Sequence, residues 1–250
     1  MPTNFTKPPI LIGGCGRSGT SILLSVLSAH PAISAVPNET EAFCPTAWDP
    51  RPDLEAPFRP ELIEEYLSSA RLRPGSTRWL EKSPKNILFF GRIIDHFQGR
   101  VRLINLVRDG RDVVTSFHPT RRREKPWVSP RRWIDDVGAG TAFDDHPLVH
   151  LIKYEDLILD YKNTVAGLCR FLEEEVHENL FEWHLHATVR SHVAWSGEVS
   201  GLHPQSIGKW KKEENRKWVE PLLAEPEAGE LLRRYGYLEA SPAAGRDGAG

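Results

Sequence analysis

Four glycines, at positions 13, 14, 16 and 19, separate the apolar run Ile10–Ile12 from a segment, Ile22 to His30, whose apolar residues recur at helical spacing. A strand, a glycine-rich turn and a helix in that order make a cradle for a phosphate. The glycines let backbone N–H groups face inward, and the helix N-terminus adds partial positive charge. The ATP-type loop reads GxxxxGK followed by Ser or Thr. From Gly14 the chain supplies GxxxxG and the closing Ser21, but Thr20 stands at the lysine position and the basic residue, Arg17, comes three places earlier. The spacing predicts a phosphate-type anion held by Gly16, Arg17, Ser18, Gly19, Thr20 and Ser21, in a loop rebuilt for something other than ATP.

A second cluster follows the apolar run Val101–Val107, in Arg108-Asp-Gly-Arg-Asp-Val-Val-Thr-Ser116. If a helix starts near Asp109, Ser116 falls about two turns along it, at roughly 3.6 residues per turn. Its hydroxyl and the Arg108 fork can then converge on one anion. The plainer reading is a helix start capped by Asp109, with Arg111 exposed. Lys82, in Leu80-Glu-Lys-Ser-Pro-Lys-Asn86, is either a surface lysine or a strand-end cation aimed at a phosphate or sulfate. Asn38-Glu-Thr-Glu-Ala-Phe43 offers two carboxylates, Glu39 and Glu41; one can act as a general base in a cleft, and otherwise both belong to a solvated loop. Tyr154 lies at another strand end. Ser206-Ile-Gly-Lys-Trp-Lys211 is a polar loop able to fold over an anionic nucleotide.

Strands are predicted over 9–14, 33–36, 78–82, 101–107 and 148–152. Helices are predicted over 19–29, 60–72, 86–97, from 109, over 154–172 and 179–188, and as a broken terminal helix over 215–235. Residues 43–60, 118–147 and 190–210 read as loops, the second of them irregular and basic, and 240–250 as a disordered tail. Strands alternating with helices predict one α/β domain over residues 1–239, a three-layer sandwich with a central parallel sheet and a P-loop-like strand–loop–helix. Ligands of such sheets bind beyond the carboxyl ends of the strands, where the glycine loop lies.

The 250 residues carry 32 basic against 34 acidic side chains, a net charge of −2, so no overall basic field points to nucleic acid. No apolar run approaches the ~20 residues of a membrane span. Residues 1–9 lack an apolar core of signal-peptide length, and a cytoplasmic location is expected. Three widely spaced cysteines (Cys15, Cys44, Cys169) suit a reducing compartment, and neither they nor the ten histidines show metal-ligand spacing.

Taken in order, Arg17-Ser-Gly-Thr20, Arg108…Ser116, Tyr154-Glu-Asp-Leu157 and Ile207-Gly-Lys-Trp210 resemble the sulfotransferases that use 3′-phosphoadenosine 5′-phosphosulfate (PAPS), and the resemblance spans roughly residues 9–212. It implies in-line transfer of a sulfuryl group to a hydroxyl or amine, leaving 3′-phosphoadenosine 5′-phosphate (PAP), with no metal required. The acceptor would be a small molecule, carbohydrate or lipid. By resemblance, Gly16 to Ser21 hold the 5′-phosphosulfate and Arg108 with Ser116 the 3′-phosphate. Tyr154, Ser206, Gly208, Lys209 and Trp210 complete the nucleotide pocket. Lys82 and Arg17 meet the transferring group and its leaving oxygen. The branch with a histidine base places it just after this lysine, where Ser83 and Pro84 stand here. The tyrosylprotein and heparan branches use a glutamate shortly after the first helix; Glu39, nine residues beyond His30, matches it, with Glu41 as second choice. The arginine usual after the tyrosylprotein Glu-Thr pair is here Glu41, a departure from a peptide-tyrosine acceptor.

Two other readings use the same residues. One is a P-loop kinase or NTPase with Asp109 as a magnesium ligand; the other is a nucleotide-binding module without turnover. Residues 43–60 and 118–147 are expected to wall the acceptor pocket. Arg121–Arg123 there either meet an anionic acceptor or are simply solvated, and the terminal helix leaves a homodimer open.

Overall fold

Strands buried on both faces of a parallel sheet favour apolar runs, clearest here in Ile10–Ile12 and in Leu103 to Val107, and five strands form the centre of this molecule. In the computed structural model, which describes residues 5–46, 52–69, 72–117, 125–191 and 201–239, they are β1 (Ile10–Gly14), β2 (Ile33–Ala35), β3 (Arg78–Lys82), β4 (Arg102–Val107) and β5 (Val149–Lys153). All pairings are parallel, in the order β2-β3-β1-β4-β5. The helices are α1 (Thr20–Ser28), α2 (Glu61–Ser69), α3 (Phe90–His96), α4 (Gly110–Val113), α5 (Pro130–Gly140), α6 (Tyr154–Leu159), α7 (Tyr161–Leu172), α8 (Trp183–His186), α9 (Arg216–Leu223) and α10 (Pro226–Arg234).

Alternation along the strands divides the core. Leu11, Trp79 and Leu103 pack with Ile63 and Leu67 of α2 and Phe90 and Ile93 of α3. Ile10, Ile12, Leu80, Ile104 and Leu106 pack on the other face with Leu23, Leu24 and Leu27 of α1, Leu157 of α6 and Leu168 of α7. This is the expected three-layer α/β sandwich. A third cluster, with Val107, Val113, Trp133, Val137, Leu222 and Leu232, joins α4, α5, α9 and α10 beyond the strand ends. From β1 the chain crosses to β2 and from β4 to β5, in opposite directions. The crevice between the carboxyl ends of β1 and β4 is therefore the switch point where ligands of such sheets sit.

Four expectations change; the helix expected over 179–188 is a 3₁₀ turn, Glu178–Leu180, followed by the single turn α8. The irregular segment 118–147 contains α5, started by Pro130 and capped by Ser129 Oγ, which accepts from Arg132 N at 3.3 Å. The helix at 109 is a single turn, so Ser116 lies beyond it rather than two turns along. The β-branched run Val113-Val114-Thr115 lowers helix propensity, and the Thr115 and Ser116 hydroxyls donate back to the carbonyls of Arg111 and Asp112. The helix over 86–97 opens as a 3₁₀ turn, Pro84–Phe89, before α3. Arg121–Arg123 and the 240–250 tail lie outside the described residues.

Candidate functional site at the carboxyl ends of β3, β1 and β4

β1 ends on Gly14, at φ +141°, where a Cβ would lie 2.3 Å from the Leu106 carbonyl oxygen of β4. Ser18 N donates to Cys15 O (3.2 Å), and Gly19, at φ +101°, starts α1 against the Tyr154 ring, 2.5 Å from where its Cβ would be. Between them Arg17 holds φ +68°. Left-handed backbone at a residue with a Cβ costs roughly 1–2 kcal/mol, and strain of this kind concentrates at ligand sites. Thr20 and Ser21 are buried in the first turn of α1, and the Ser18 hydroxyl is buried without a hydrogen-bond partner. Burial, then the nearby Arg108, lowers the Arg17 pKa.

Lys82 ends β3 in register with Ile12 of β1. Its side chain is 0% exposed and ion-paired with Glu39, which is 26% exposed. Burial pulls the Lys82 ammonium below its usual pKa, and Glu39 pushes it back up. The surface-lysine reading is thereby excluded. Glu39 reaches this point because the chain after β2 runs on beside β3, with Val36 N donating to Leu80 O at 2.8 Å. Glu41 adopts φ +53°, and its backbone N–H donates to Ser83 Oγ (3.1 Å).

At the end of β4, Arg108 is buried. Its Nη1 donates to the Arg17 carbonyl (3.0 Å) and its Nη2 to the Ser206 carbonyl (2.6 Å). Its guanidinium carbon lies 4.1 Å from the Tyr154 ring centroid, and its Nε is buried without a hydrogen-bond partner. Tyr154 Oη and Ser206 Oγ are 2.6 Å apart. The Ser116 hydroxyl donates to the Asp112 carbonyl (2.8 Å) and accepts from Lys209 Nζ. Among the described residues no carboxylate lies within ion-pair distance of Arg108. The Asp112 carboxylate, which the sequence reading missed, accepts from Gly208 N (2.7 Å) and Trp210 N (3.0 Å) and so fastens the 206–211 loop to α4. The Trp210 ring stacks on Arg111, whose guanidinium carbon is 3.9 Å from its centroid.

Asp109 caps α4 as expected, but Arg111 is buried rather than exposed. Its Nε and Nη2 take both Asp109 oxygens at 2.7–3.1 Å, and Nη2 also donates to the Tyr237 carbonyl. That pairing does not suit Asp109 to a magnesium ion. A further basic group was missed: Lys85 and Arg132 share the fully buried Asp136, at 2.7 and 3.4 Å. Arg132 Nη2 lies 2.9 Å from where a Gly16 Cβ would be, so α5 brings this fork onto the glycine loop. The signal was Ser129-Pro130 ahead of Trp133, Ile134 and Val137, a helix start inside a basic stretch. No group of three or more His, Cys, Asp or Glu able to hold a metal occurs among the described residues, and no helix there is long and apolar enough to cross a membrane.

Residues 8–178 match the sulfotransferase family, and the chain belongs to that family. Its fold is similar to the sulfotransferase domain from the curacin biosynthetic pathway, at 16% identity and TM-score 0.62, covering 94% of this chain and 99% of that one. It is also similar to the sulfotransferase domain of the Synechococcus PCC 7002 olefin synthase, at 18% and 0.59, covering 95% and 97%. A mouse sulfotransferase complexed with PAP matches at 15% and 0.52, covering 92% of this chain and 88% of that one. No curated protein matches the sequence at a significant level.

Proposed function

We propose that residues 1–239 form a single PAPS-dependent sulfotransferase domain that transfers a sulfuryl group to a hydroxyl or amine, with Glu39 as the general base. The observation that carries this reading is the gathering of Arg17, Arg108, Ser116, Tyr154, Ser206 and Lys209 at the β1–β4 switch point, with the Lys82–Glu39 pair on the other side of β1. Two strand spacings, about 10 Å, separate β3 from β4, enough for the two ends of one nucleotide. The residues fit such a guest. Ser18 Oγ and Arg108 Nε are buried donors that lack a partner, and the helix N-terminus at Thr20 faces the same loop. Membership of the family and the PAP-bound mouse relative support the same donor.

PAPS, when bound, supplies a sulfuryl group already activated on a phosphate. The chain's own residues do the rest. Arg17, Lys82 and the loop N–H groups stabilise charge that grows on the leaving phosphate. Glu39 takes the proton of the acceptor as its oxygen or nitrogen bonds to sulfur and the sulfur–oxygen bond to phosphate breaks. Arg108, Ser116 and Lys209 hold the 3′-phosphate, which fixes register without entering the chemistry.

Labelled PAPS offered with phenols, sugars, amines and lipids tests the reading. Transfer to one acceptor class should persist in EDTA. Glu39→Gln should lower kcat by about 10²–10⁴-fold, the usual contribution of a general base, with PAP affinity unchanged. Equal activity in Glu39→Gln with loss in Glu41→Gln would move the base, and magnesium-dependent phosphoryl transfer from ATP would overturn the reading.

A further inference from the structure

Glu81 precedes Lys82 on β3 and, by the alternation of the strand, points to the opposite face. It is 0% exposed. Oε1 accepts from Thr40 N (3.3 Å), Thr40 Oγ1 (3.1 Å) and Ser83 Oγ (2.6 Å), and Oε2 accepts from Asn86 Nδ2 (2.9 Å). All four partners are neutral donors, the set that an ionised carboxylate takes. Burial raises the Glu81 pKa, and these hydrogen bonds offset only part of that rise. The network extends further. Asn86 Nδ2 also donates to the Ile12 carbonyl of β1 (3.3 Å), and Ser83 Oγ accepts from Glu41 N (3.1 Å). One buried carboxylate therefore ties the residues flanking Glu39 to both strands that carry the glycine loop and Lys82. A buried carboxylate is a costly way to fill a core, and apolar residues of similar volume usually pack there at no loss of stability.

We infer that Glu81 is a positioning residue for the general base. Through Thr40 and Ser83 it fixes the 39–41 loop so that the Glu39 carboxylate stays on Lys82. The inference rests on the role of Glu39 given above. It assigns Glu81 to the chemical step and not to donor binding, because its side chain's hydrogen bonds go to Thr40 of the 39–41 loop and to Ser83 and Asn86 of the following turn, and the one donor-site residue that feels its charge is Lys82, the partner of Glu39.

The test compares kcat, acceptor KM, PAP affinity and Tm for wild type, Thr40→Val, Thr40→Ser, Glu81→Gln and Glu39→Gln. Thr40→Val and Glu81→Gln should lower kcat about tenfold or more, as small misplacements of a catalytic group do, with PAP affinity within about twofold. Thr40→Ser, which keeps the hydroxyl, should restore kcat. Thr40→Val added to Glu39→Gln should cost nothing further, since both act on one carboxylate. If Thr40→Val and Glu81→Gln lower only Tm, or lower PAP affinity in step with kcat, the inference is wrong. If Glu39→Gln abolishes turnover while Thr40→Val does not, only this inference fails. If Glu39→Gln is itself silent, the assignment of the base fails, and with it the claim that Glu81 positions the base.

Discussion

The carboxyl ends of β3 and β4 lie on either side of β1, and each presents a buried cation, but the cations meet different partners. Lys82 at the end of β3 is fully enclosed and faces a carboxylate, Glu39. Arg108 at the end of β4 faces two backbone carbonyls and an aromatic ring. A carbonyl dipole holds an arginine in place without neutralising it, so Arg108, although Asp112 and Glu155 feel its charge, has no direct ion pair and can meet an anion. A carboxylate neutralises the lysine, so the β3 end has an internal ion pair with a proton acceptor in it. The first arrangement suits holding a permanent charge on a ligand. The second suits chemistry in which charge and a proton move.

That contrast gives two substitutions with different signatures. Lys82→Met should have the larger effect, a loss of about 10²–10³-fold in kcat, the scale for removing one donor to developing charge. It should also change the pH dependence of stability. The folded-state pKa of Lys82 is lowered from 10.5, so between that lowered value and 10.5 the unfolded chain binds more protons. Wild-type stability should therefore rise with pH across that window, and Lys82→Met should lose this rise, as thermal melts in an alkaline pH series would show. A rise that survives in the variant would mean that burial does not lower the Lys82 pKa in the folded protein. The second substitution is Arg108→Ala. Loss of charge-assisted hydrogen bonds, about 2–3 kcal/mol, corresponds to roughly 30–150-fold in PAP affinity. The variant should bind an analogue without the 3′-phosphate almost as wild type does; equal losses for both ligands would erase the distinction between the two ends.

Much of the scaffold was legible in the sequence because β1 and most of β4 read as apolar runs and the shorter or charged strands β2, β3 and β5 each carry apolar residues between turn or helix signals. All five fall within a residue of the expected bounds. The glycine loop was legible because Gly14 and Gly19 occupy backbone space that other residues avoid. What stayed hidden is non-local. Whether Lys82 is exposed depends on a loop some forty residues away, and the burial of Arg111 depends on the Tyr237 carbonyl 126 residues later. The same holds for Lys85, Arg132 and Asp136, where two of the three come from a helix that its basic composition disguised as loop. Glu81 gave no signal, since its meaning lies in Thr40, 41 positions back along the chain.

The claim that the two cation sites bind the two ends of one 3′-phosphorylated nucleotide is tested most directly by calorimetric titration of the wild-type protein with PAP, 5′-AMP and ATP–magnesium. PAP should bind at least about 30-fold more tightly than 5′-AMP, the equivalent of about 2 kcal/mol from the 3′-phosphate, and ATP–magnesium should bind no better than 5′-AMP. Equal affinity for PAP and 5′-AMP, or tightest binding of ATP–magnesium, would contradict it.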